Sequence, residues 1–166
     1  SGRSVRMTID DEFFSEQWSL NNTGQDEGIV GADINIEPAW DVNEEFTKTI
    51  VAILDSGVDL SHPDLAAKLV PGLDVVNNDN DPDNPEHDGP SDDFGVGHGT
   101  HVAGIVGAIT NNKLGVAGVC PHCRIMPVKV LNSQGTGTIG QVVTGIDFAI
   151  NNGAHVLNAS MEAEGY

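Results

Sequence analysis

Two side chains occupy positions where α/β proteins often carry their chemistry. Asp55 directly follows a short apolar run at residues 49–54, and His98 opens a segment with helical periodicity. Functional groups in open α/β sheets gather at the carboxyl ends of strands, and carboxylates and imidazoles are side chains that transfer protons. Each residue alone is more often structural, since an Asp in a turn and a single His are both common. Together they form a candidate site.

Cys120 and Cys123 form a second pair that could carry chemistry. Their CxxC spacing is shared by thiol oxidoreductases and zinc half-sites. Redox pairs gain a reactive thiolate at a helix N-terminus, whereas residues 124–131 are typical of a strand. The sequence contains no second CxxC or ligand pair for a structural zinc site. A short local disulfide, free thiols, zinc binding and redox catalysis therefore all stay open.

Short apolar runs predict the strands that must position these side chains. Residues 49–54 and 125–131 are nearly all apolar, as in strands covered on both faces, and residues 155–159 predict a further strand. Residues 74–93 are rich in Asp, Asn, Pro and Gly and predict a long surface loop.

Two helices are predicted between these strands. Apolar residues recur at the spacing of one helix face after His98, and residues 139–152 repeat the pattern. Thr138 is the expected N-cap of the second helix and Gly153 its C-cap. Strands alternating with helices imply right-handed crossovers and a parallel sheet, so the predicted fold class is α/β.

The first forty residues are irregular and polar, which predicts an extended lead-in with a short helix at residues 36–42. Four aromatic side chains are the expected anchors of this lead-in: Phe13, Phe14, Trp18 and Trp40.

Composition excludes several functions. The 166 residues include 7 basic and 25 acidic side chains, giving a formal charge of −18. Binding to a nucleic-acid backbone needs Lys and Arg, so no nucleic-acid partner is expected. No apolar run is long enough for a membrane span, and residues 1–9 lack the apolar stretch of a signal peptide. The chain is therefore either cytosolic or a mature or excised form.

Two motifs carry a family resemblance. Residues 51–65 (VAILDSGVDLSHPDL) closely resemble the Asp box of subtilisin-like serine proteases, the subtilase or peptidase S8 family. Residues 98–104 (HGTHVAG) resemble the His box of that family, and residues 14–24 and 126–131 are also similar.

This resemblance extends over nearly the whole chain and implies a domain organisation. The implied fold is a three-layer α/β architecture with a mostly parallel central sheet, incomplete at the C-terminus. Residues 1–41 would form a lead-in packed on the domain, and residues 42–166 would form the N-terminal part of the catalytic domain.

The resemblance also assigns catalytic roles. Asp55 would accept a hydrogen bond from His98, and His98 would take a proton from a Ser hydroxyl and return it to the leaving amine. The family nucleophile lies in a Gly-Thr-Ser-Met-Ala-type box that this chain lacks, as it lacks the oxyanion-hole Asn. Ser160 partly matches that box, but it is much closer to His98 along the chain than the family nucleophile is. We therefore expect the chain alone to be inactive.

Two segments resemble the walls of the family's substrate cleft. Gly135, Thr136 and Gly137 match the segment whose backbone pairs with an extended peptide. Ser160 matches the opposite wall, although the family usually has Gly where Glu162 stands.

Two calcium (Ca2+) sites are expected because this cation takes oxygen ligands from carboxylates, amides and carbonyls. The first matches thermitase-like members of the family, and its ligands would be Asp11, Asp64, Ile109, Asn112, Leu114 and Val116. The second lies in the acidic loop, where the alternative is a solvated surface, and its ligands would be Asp74, Asn77, Asp79, Asp81 and Asp83.

The resemblance thus predicts a secreted or extracellular serine endopeptidase that acts on polypeptides. It would bind neither nucleic acid nor membrane. One partner would be the missing C-terminal part of the same domain. The main alternative is a non-catalytic, calcium-binding relative or fragment that acts as a binding module. A thiol-disulfide oxidoreductase is the third hypothesis.

Overall fold

The computed structural model describes residues 8–40, 49–76 and 97–162. In chain order, its helices and strands are α1 (Glu37–Trp40), β1 (Ile50–Asp55), β2 (Leu73–Asp74), α2 (His98–Gly107), β3 (Arg124–Lys129), α3 (Ile139–Asn151) and β4 (Val156–Asn158). Short 3-10 helices lie at Phe14–Glu16, Gln25–Glu27 and Ala66–Lys68. No helix in the described ranges is long and apolar enough to cross a membrane.

Four strands form one parallel sheet in the order β2-β3-β1-β4. Strand β1 lies between β3 and β4, with Asp55 in register with Lys129 and Ile53 in register with Asn158. The parallel α/β fold predicted from the alternating periodicities is therefore confirmed. The central position of β1 explains why its residues after Ile50 are buried, because both faces and both edges are covered.

The two long helices cover opposite faces of the sheet. On one face, Val51 and Ile53 pack with Val102 of α2. On the other face, Ala52 and Leu54 pack with residues of α3 such as Ala149. This division follows from the strand period of two, which directs successive side chains to opposite faces. The result is the predicted three-layer arrangement.

Helix α3 has defined caps at both ends. The Thr138 hydroxyl accepts a hydrogen bond from the Gln141 backbone N–H, and the Gln141 side chain completes a capping box. Asn152 is the C-cap, one residue before the predicted Gly153. Gly153 follows with φ of +84°, a left-handed conformation that favours glycine. The N–H of Ala154 then bonds the carbonyl of Ala149, which closes a Schellman motif.

The lead-in packs through only half of its expected anchors. Phe14 and Trp40 contact each other and a small core that includes Leu20. Trp40 also donates its indole N–H to the Val119 carbonyl at 2.8 Å. Phe13 and Trp18 are exposed, so the prediction that they anchor the segment is wrong. The helix expected at residues 36–42 spans Glu37–Trp40 within the described range.

The strands differ in detail from their predictions. Strand β1 spans Ile50–Asp55 instead of 49–54, and β3 spans Arg124–Lys129 instead of 125–131. Asp74 belongs to the two-residue strand β2 and is buried, so the predicted surface loop does not begin there. Strand β4 covers Val156–Asn158 within the predicted 155–159, but Val156 is 50% exposed. Its backbone pairs with β1 alone within the described residues, which leaves apolar surface uncovered.

Candidate active site

Asp55 and His98 meet at the carboxyl end of β1. Nδ1 of His98 lies 2.7 Å from Oδ1 of Asp55. The Asp55 side chain is completely buried, whereas the imidazole is 36% exposed. A donor–acceptor distance this short is typical of a hydrogen bond to an ionised group, with the imidazole N–H donating to the carboxylate. The arrangement fixes which ring nitrogen carries the proton and leaves part of the ring accessible.

Hydrogen bonds to both the side chain and the backbone of Asp55 hold this residue at the end of β1. The backbone N–H of Ser56 donates to Oδ1 of Asp55 at 2.7 Å. The Asp55 carbonyl accepts two N–H groups, from Val130 at 2.9 Å and Leu131 at 3.1 Å. Oδ2 of Asp55 is buried and has no hydrogen-bond partner among the described residues. The carboxylate thus has a fixed orientation, with Oδ1 directed at the imidazole.

The first turn of α2 lies directly on the turn that follows β1. Gly97 precedes the helix with φ of +68° and offers no side chain as a cap. The Gly99 N–H donates to the Ser56 hydroxyl at 3.2 Å, and a methyl group at Gly99 would overlap the carbonyl oxygen of Gly57. The Thr100 hydroxyl accepts the backbone N–H of Asp59 at 2.9 Å. These contacts set the position from which His98 reaches Asp55.

The two predicted cleft segments leave the sheet on either side of Asp55. Residues 131–137 follow β3, where a turn closes through the Asn132 N–H and the Thr136 carbonyl at 2.8 Å. Ser160 lies two residues beyond β4 and accepts a hydrogen bond from the Asn158 side chain at 3.0 Å. Because β3 and β4 flank β1, Gly135–Gly137 and Ser160 lie beyond the same edge of the sheet as Asp55.

The side chains expected at the first calcium site converge from three separate segments. Asp11 accepts the backbone N–H groups of Asn111 at 3.0 Å and Asn112 at 3.1 Å. Asp64 accepts the Asn112 side-chain amide at 2.7 Å and the Val116 N–H at 3.3 Å. Both carboxylates are buried. The carboxylate and amide oxygens are of the kind that a hard cation binds, but each carboxylate oxygen here accepts an N–H group, which competes with a cation. The expected carbonyl ligands, including those of Ile109 and Leu114, lie in the same segment as Asn112 and Val116.

The second calcium loop is described only at its start. Oδ1 of Asp74 accepts the Val76 N–H at 2.7 Å, and Oδ2 lies 4.0 Å from the Lys129 amine. These contacts compete with calcium for the carboxylate. Asn77, Asp79, Asp81 and Asp83 lie outside the described residues. Within the described ranges, no three His, Cys, Asp or Glu side chains are grouped to hold a metal.

Cys120 and Cys123 are joined by a disulfide, with their Cα atoms 5.4 Å apart. Of the four hypotheses that the CxxC spacing left open, this bond corresponds to the short local disulfide. It lies just before β3, at the amino end of the sheet. Lys68, a residue that sequence reasoning missed, donates to the Cys120 carbonyl at 3.0 Å. Burial lowers the pKa of Lys68 from 10.5 to about 8, and the nearby Asp64 charge partly opposes this shift.

The other histidines of the two motifs lie away from the pair. His62 and His101 line a cleft of about 640 Å³ that runs along the outer side of α2, where Trp18 and Ile105 also lie. Nδ1 of His62 accepts the Asp64 N–H at 3.2 Å, which gives it a local structural role. Sequence reasoning missed the contacts of Gly99 and Thr100 with the Asp55 turn. The Gly-Thr that follows His98 was the available signal.

A parallel α/β sheet thus carries an Asp at one strand end, bonded to a His that opens a helix, and this is the geometry of an acid–imidazole pair. The chain belongs to the subtilase family (peptidase S8), whose family model matches residues 47–164.

Similar proteins support this assignment. Thermitase of Thermoactinomyces vulgaris is 44% identical over 128 residues, which cover 77% of this chain and 42% of that protein. A thermophilic serine proteinase of Bacillus sp. (strain AK1) is 38% identical over 149 residues, covering 89% of this chain and 35% of that protein. The chain thus spans less than half the length of these relatives.

Solved structures agree. A protease of Pseudoalteromonas arctica superimposes with a TM-score of 0.77 at 30% identity, covering 96% of this chain and 52% of that one. The serine protease of Aeromonas sobria gives a TM-score of 0.76 at 26% identity, covering 99% of this chain and 28% of that one.

Proposed function

We propose that the protein containing this chain is a serine endopeptidase in which Asp55 and His98 are two members of the catalytic triad. The observation that carries the proposal is the 2.7 Å contact between Nδ1 of His98 and the buried carboxylate of Asp55. Membership of a family of serine proteases supports it. Polypeptides are the proposed substrates.

The proposed reaction proceeds through an acyl-enzyme. A Ser hydroxyl attacks the scissile carbonyl carbon while His98 takes the hydroxyl proton, and the buried Asp55 stabilises the resulting imidazolium. His98 then gives the proton to the leaving amine as the peptide C–N bond breaks. Water hydrolyses the ester by the same two proton transfers, which regenerates the Ser hydroxyl.

The nucleophile and the oxyanion-hole donor of this reaction are proposed to lie outside the chain. Ser160 is assigned to the cleft, because its hydroxyl accepts a bond from Asn158 at an exposed position beyond β4. An enzyme without its nucleophile loses roughly 10⁶ in rate. The chain alone is therefore proposed to be inactive, with the rest of its domain covering the exposed side of β4.

The substrate is proposed to bind beyond the carboxyl edge of the sheet. An extended peptide there would lie between Gly135–Gly137 on one side and Ser160 on the other, pairing its backbone with these segments. Because the family usually has Gly at the position of Glu162, the pocket beside this residue would differ in shape and charge.

The proposal is tested by labelling a form of the protein extended beyond Tyr166 with a fluorophosphonate probe. We expect one labelled serine downstream of Tyr166, with labelling abolished by His98→Ala and retained by His101→Ala. His101 is a suitable control because it lies in the same helix but lines the outer cleft. Labelling that survives His98→Ala, or that maps to Ser160, would refute the proposal.

An extracellular location is proposed because one relative is a cell wall-associated protease. A cell wall-associated protease of Bacillus subtilis is 36% identical over 164 residues, covering 96% of this chain and 17% of that protein. The acidic composition, with a formal charge of −18, is compatible with a soluble secreted protein.

A calcium ion is proposed to bind at Asp11, Asp64 and Asn112, where it would tie the lead-in to the loop after α2 without entering the chemistry. Millimolar calcium should raise the melting temperature of the chain, because a ligand that binds only the folded state stabilises it. Asp11→Asn should remove this increment, whereas Asp10→Asn should keep it, since Asp10 contributes only its backbone N–H here. An equal calcium response in Asp11→Asn and the unmodified chain would argue against the site.

A further inference from the structure

Helix α2 contacts residues 56–59, the turn that follows Asp55 and is called the Asp55 turn here. It does so through its backbone at Gly99 and through a side chain at Thr100. At Gly99 the helix touches the turn through its backbone, because Gly99 donates to Ser56 and its Cα lies against the Gly57 carbonyl. Val102 of the same helix packs on β1, and the Gly99 contact sets the distance between the first turn of α2 and the Asp55 turn.

Thr100 provides a second contact between the first turn of α2 and the Asp55 turn. Its hydroxyl accepts the Asp59 N–H at 2.9 Å, two residues along the helix from His98 and four residues beyond Asp55 in the turn. Successive helical residues are separated by about 100° around the axis, so Gly99 and Thr100 contact the turn at different angles. Two contacts at different angles fix both the distance and the orientation of the first turn of the helix.

The orientation of this first turn decides where the His98 ring points. Gly97 is the N-cap position of the helix but has no side chain with which to cap it, and His98 is the first helical residue. A 2.7 Å bond from this residue to a buried carboxylate tolerates little angular error. The start of α2 is therefore held by contacts with the Asp55 turn.

We propose that Thr100 is a positioning residue for the Asp55–His98 pair. Its hydroxyl fixes the orientation of the first turn of α2, so that Nδ1 of His98 stays directed at Asp55. This role deepens the proposed function and rests on it, since positioning matters for catalysis only if the pair acts in peptide hydrolysis. The Thr methyl group is not required for it.

The test uses NMR of the form extended beyond Tyr166 and follows the His98 Nδ1 proton. A proton shared with a carboxylate resonates strongly downfield and exchanges slowly with water. In Thr100→Val, which keeps the side-chain shape but loses the acceptor, we expect this resonance to move upfield and its exchange to quicken roughly tenfold. Thr100→Ser should restore the behaviour of the unmodified chain. Thr144→Val is the matched control, because Thr144 has its hydroxyl on the exposed side of α3, bonded to Gly140.

Several outcomes would overturn the positioning role. One is an unchanged His98 resonance in Thr100→Val despite a lower melting temperature, which would make Thr100 merely structural. Another is equal loss in Thr100→Ser, which retains the hydroxyl. If Thr100→Val fails to fold by circular dichroism, Thr100→Cys replaces it, since a thiol is a weak acceptor.

This readout needs no nucleophile, so it separates the two proposals. In the extended, fluorophosphonate-reactive form, Thr100→Val should also slow labelling roughly 10- to 100-fold through misplacement of the base. If labelling never occurs but the resonance responds as expected, the proposed function fails and the geometric role of Thr100 stands. If labelling occurs at an unchanged rate in Thr100→Val, the positioning role fails alone.

Discussion

The two edges of the parallel sheet are held together by different means. At the carboxyl edge, Asp55 and His98 are joined by a hydrogen bond, and one oxygen of the carboxylate has no partner among the described residues. At the amino edge, a disulfide precedes β3, and the amine of Lys68 is directed at backbone carbonyls. Changes to Asp55 or His98 should therefore affect reactivity, whereas changes at the amino edge should affect stability and leave reactivity intact.

Asp55→Asn should have the largest effect. In the extended form the rate of fluorophosphonate labelling should fall about 10⁴-fold, because an amide no longer fixes the imidazole tautomer, as in the Ser-His-Asp template. The melting temperature measured in parallel should change much less. A large loss of stability with a small loss of labelling would break the proposed division between the edges.

Gly99→Ala should lower the free energy of unfolding by about 3 kcal/mol, the upper end for overpacking, because the new methyl group meets a backbone carbonyl that cannot swing away. Gly104→Ala is the matched control in the same helix, since a methyl there meets nothing within 4 Å. The control should instead be stabilising by up to about 1 kcal/mol through helix propensity. Urea unfolding of both variants checks the pair, and equal effects would contradict the close contact at Gly99.

Lys68 should make stability depend on pH above neutrality. Its pKa is lowered to about 8 in the folded state from 10.5, so between these values the unfolded chain binds the proton and the folded chain does not. The free energy of unfolding should therefore rise with pH over this window, by up to about 3 kcal/mol, while below pH 8 the cost of the buried charge is present in full. Lys68→Met should lack this rise. Parallel urea titrations from pH 7 to 10.5 test it, and the same pH dependence in both proteins would place its cause elsewhere.

Removing the disulfide should have the smallest effect of the four. The bond joins cysteines separated by 3 positions in the sequence. Loop-closure entropy for so short a loop corresponds to about 2 kcal/mol. Cys120→Ser combined with Cys123→Ser should lower the free energy of unfolding by that amount and leave the rate of fluorophosphonate labelling within about twofold. Loss of labelling in this variant would show that the amino edge also controls the chemistry.

The sequence predicted features that depend on local pattern. Strand β1 was predicted from a continuous apolar run and helices α2 and α3 from apolar residues that recur at a period of 3.6. The Thr138 cap was predicted because hydroxyls at that position bond the first turn. Asp55 and His98 were predicted because their flanking residues resemble two family motifs. Both kinds of information lie within a few adjacent residues.

Features that depend on distant partners were missed. Strand β2 has only two residues, one of them the acidic Asp74, so no periodicity could reveal it. Lys68 would be expected in solvent, and its burial becomes possible only because carbonyls of Ala108 and Cys120 approach its amine. Trp18 is an aromatic residue of the kind expected to anchor the lead-in, but its side chain lines an open cleft. In each case the deciding contact comes from a different part of the chain.

The two amides that meet at the Asp55 carbonyl determine how the chain leaves β3. A regular parallel ladder gives each carbonyl one amide, but Val130 and Leu131 share this one oxygen, and the ladder between β1 and β3 ends at Asp55. The following residues lie outside the ladder and close the tight turn at Asn132. The peptide substrate proposed above would therefore reach this segment without displacing any strand of the sheet. Asp55 thus supplies the carboxylate of the pair, and its backbone carbonyl ends the ladder beside that carboxylate.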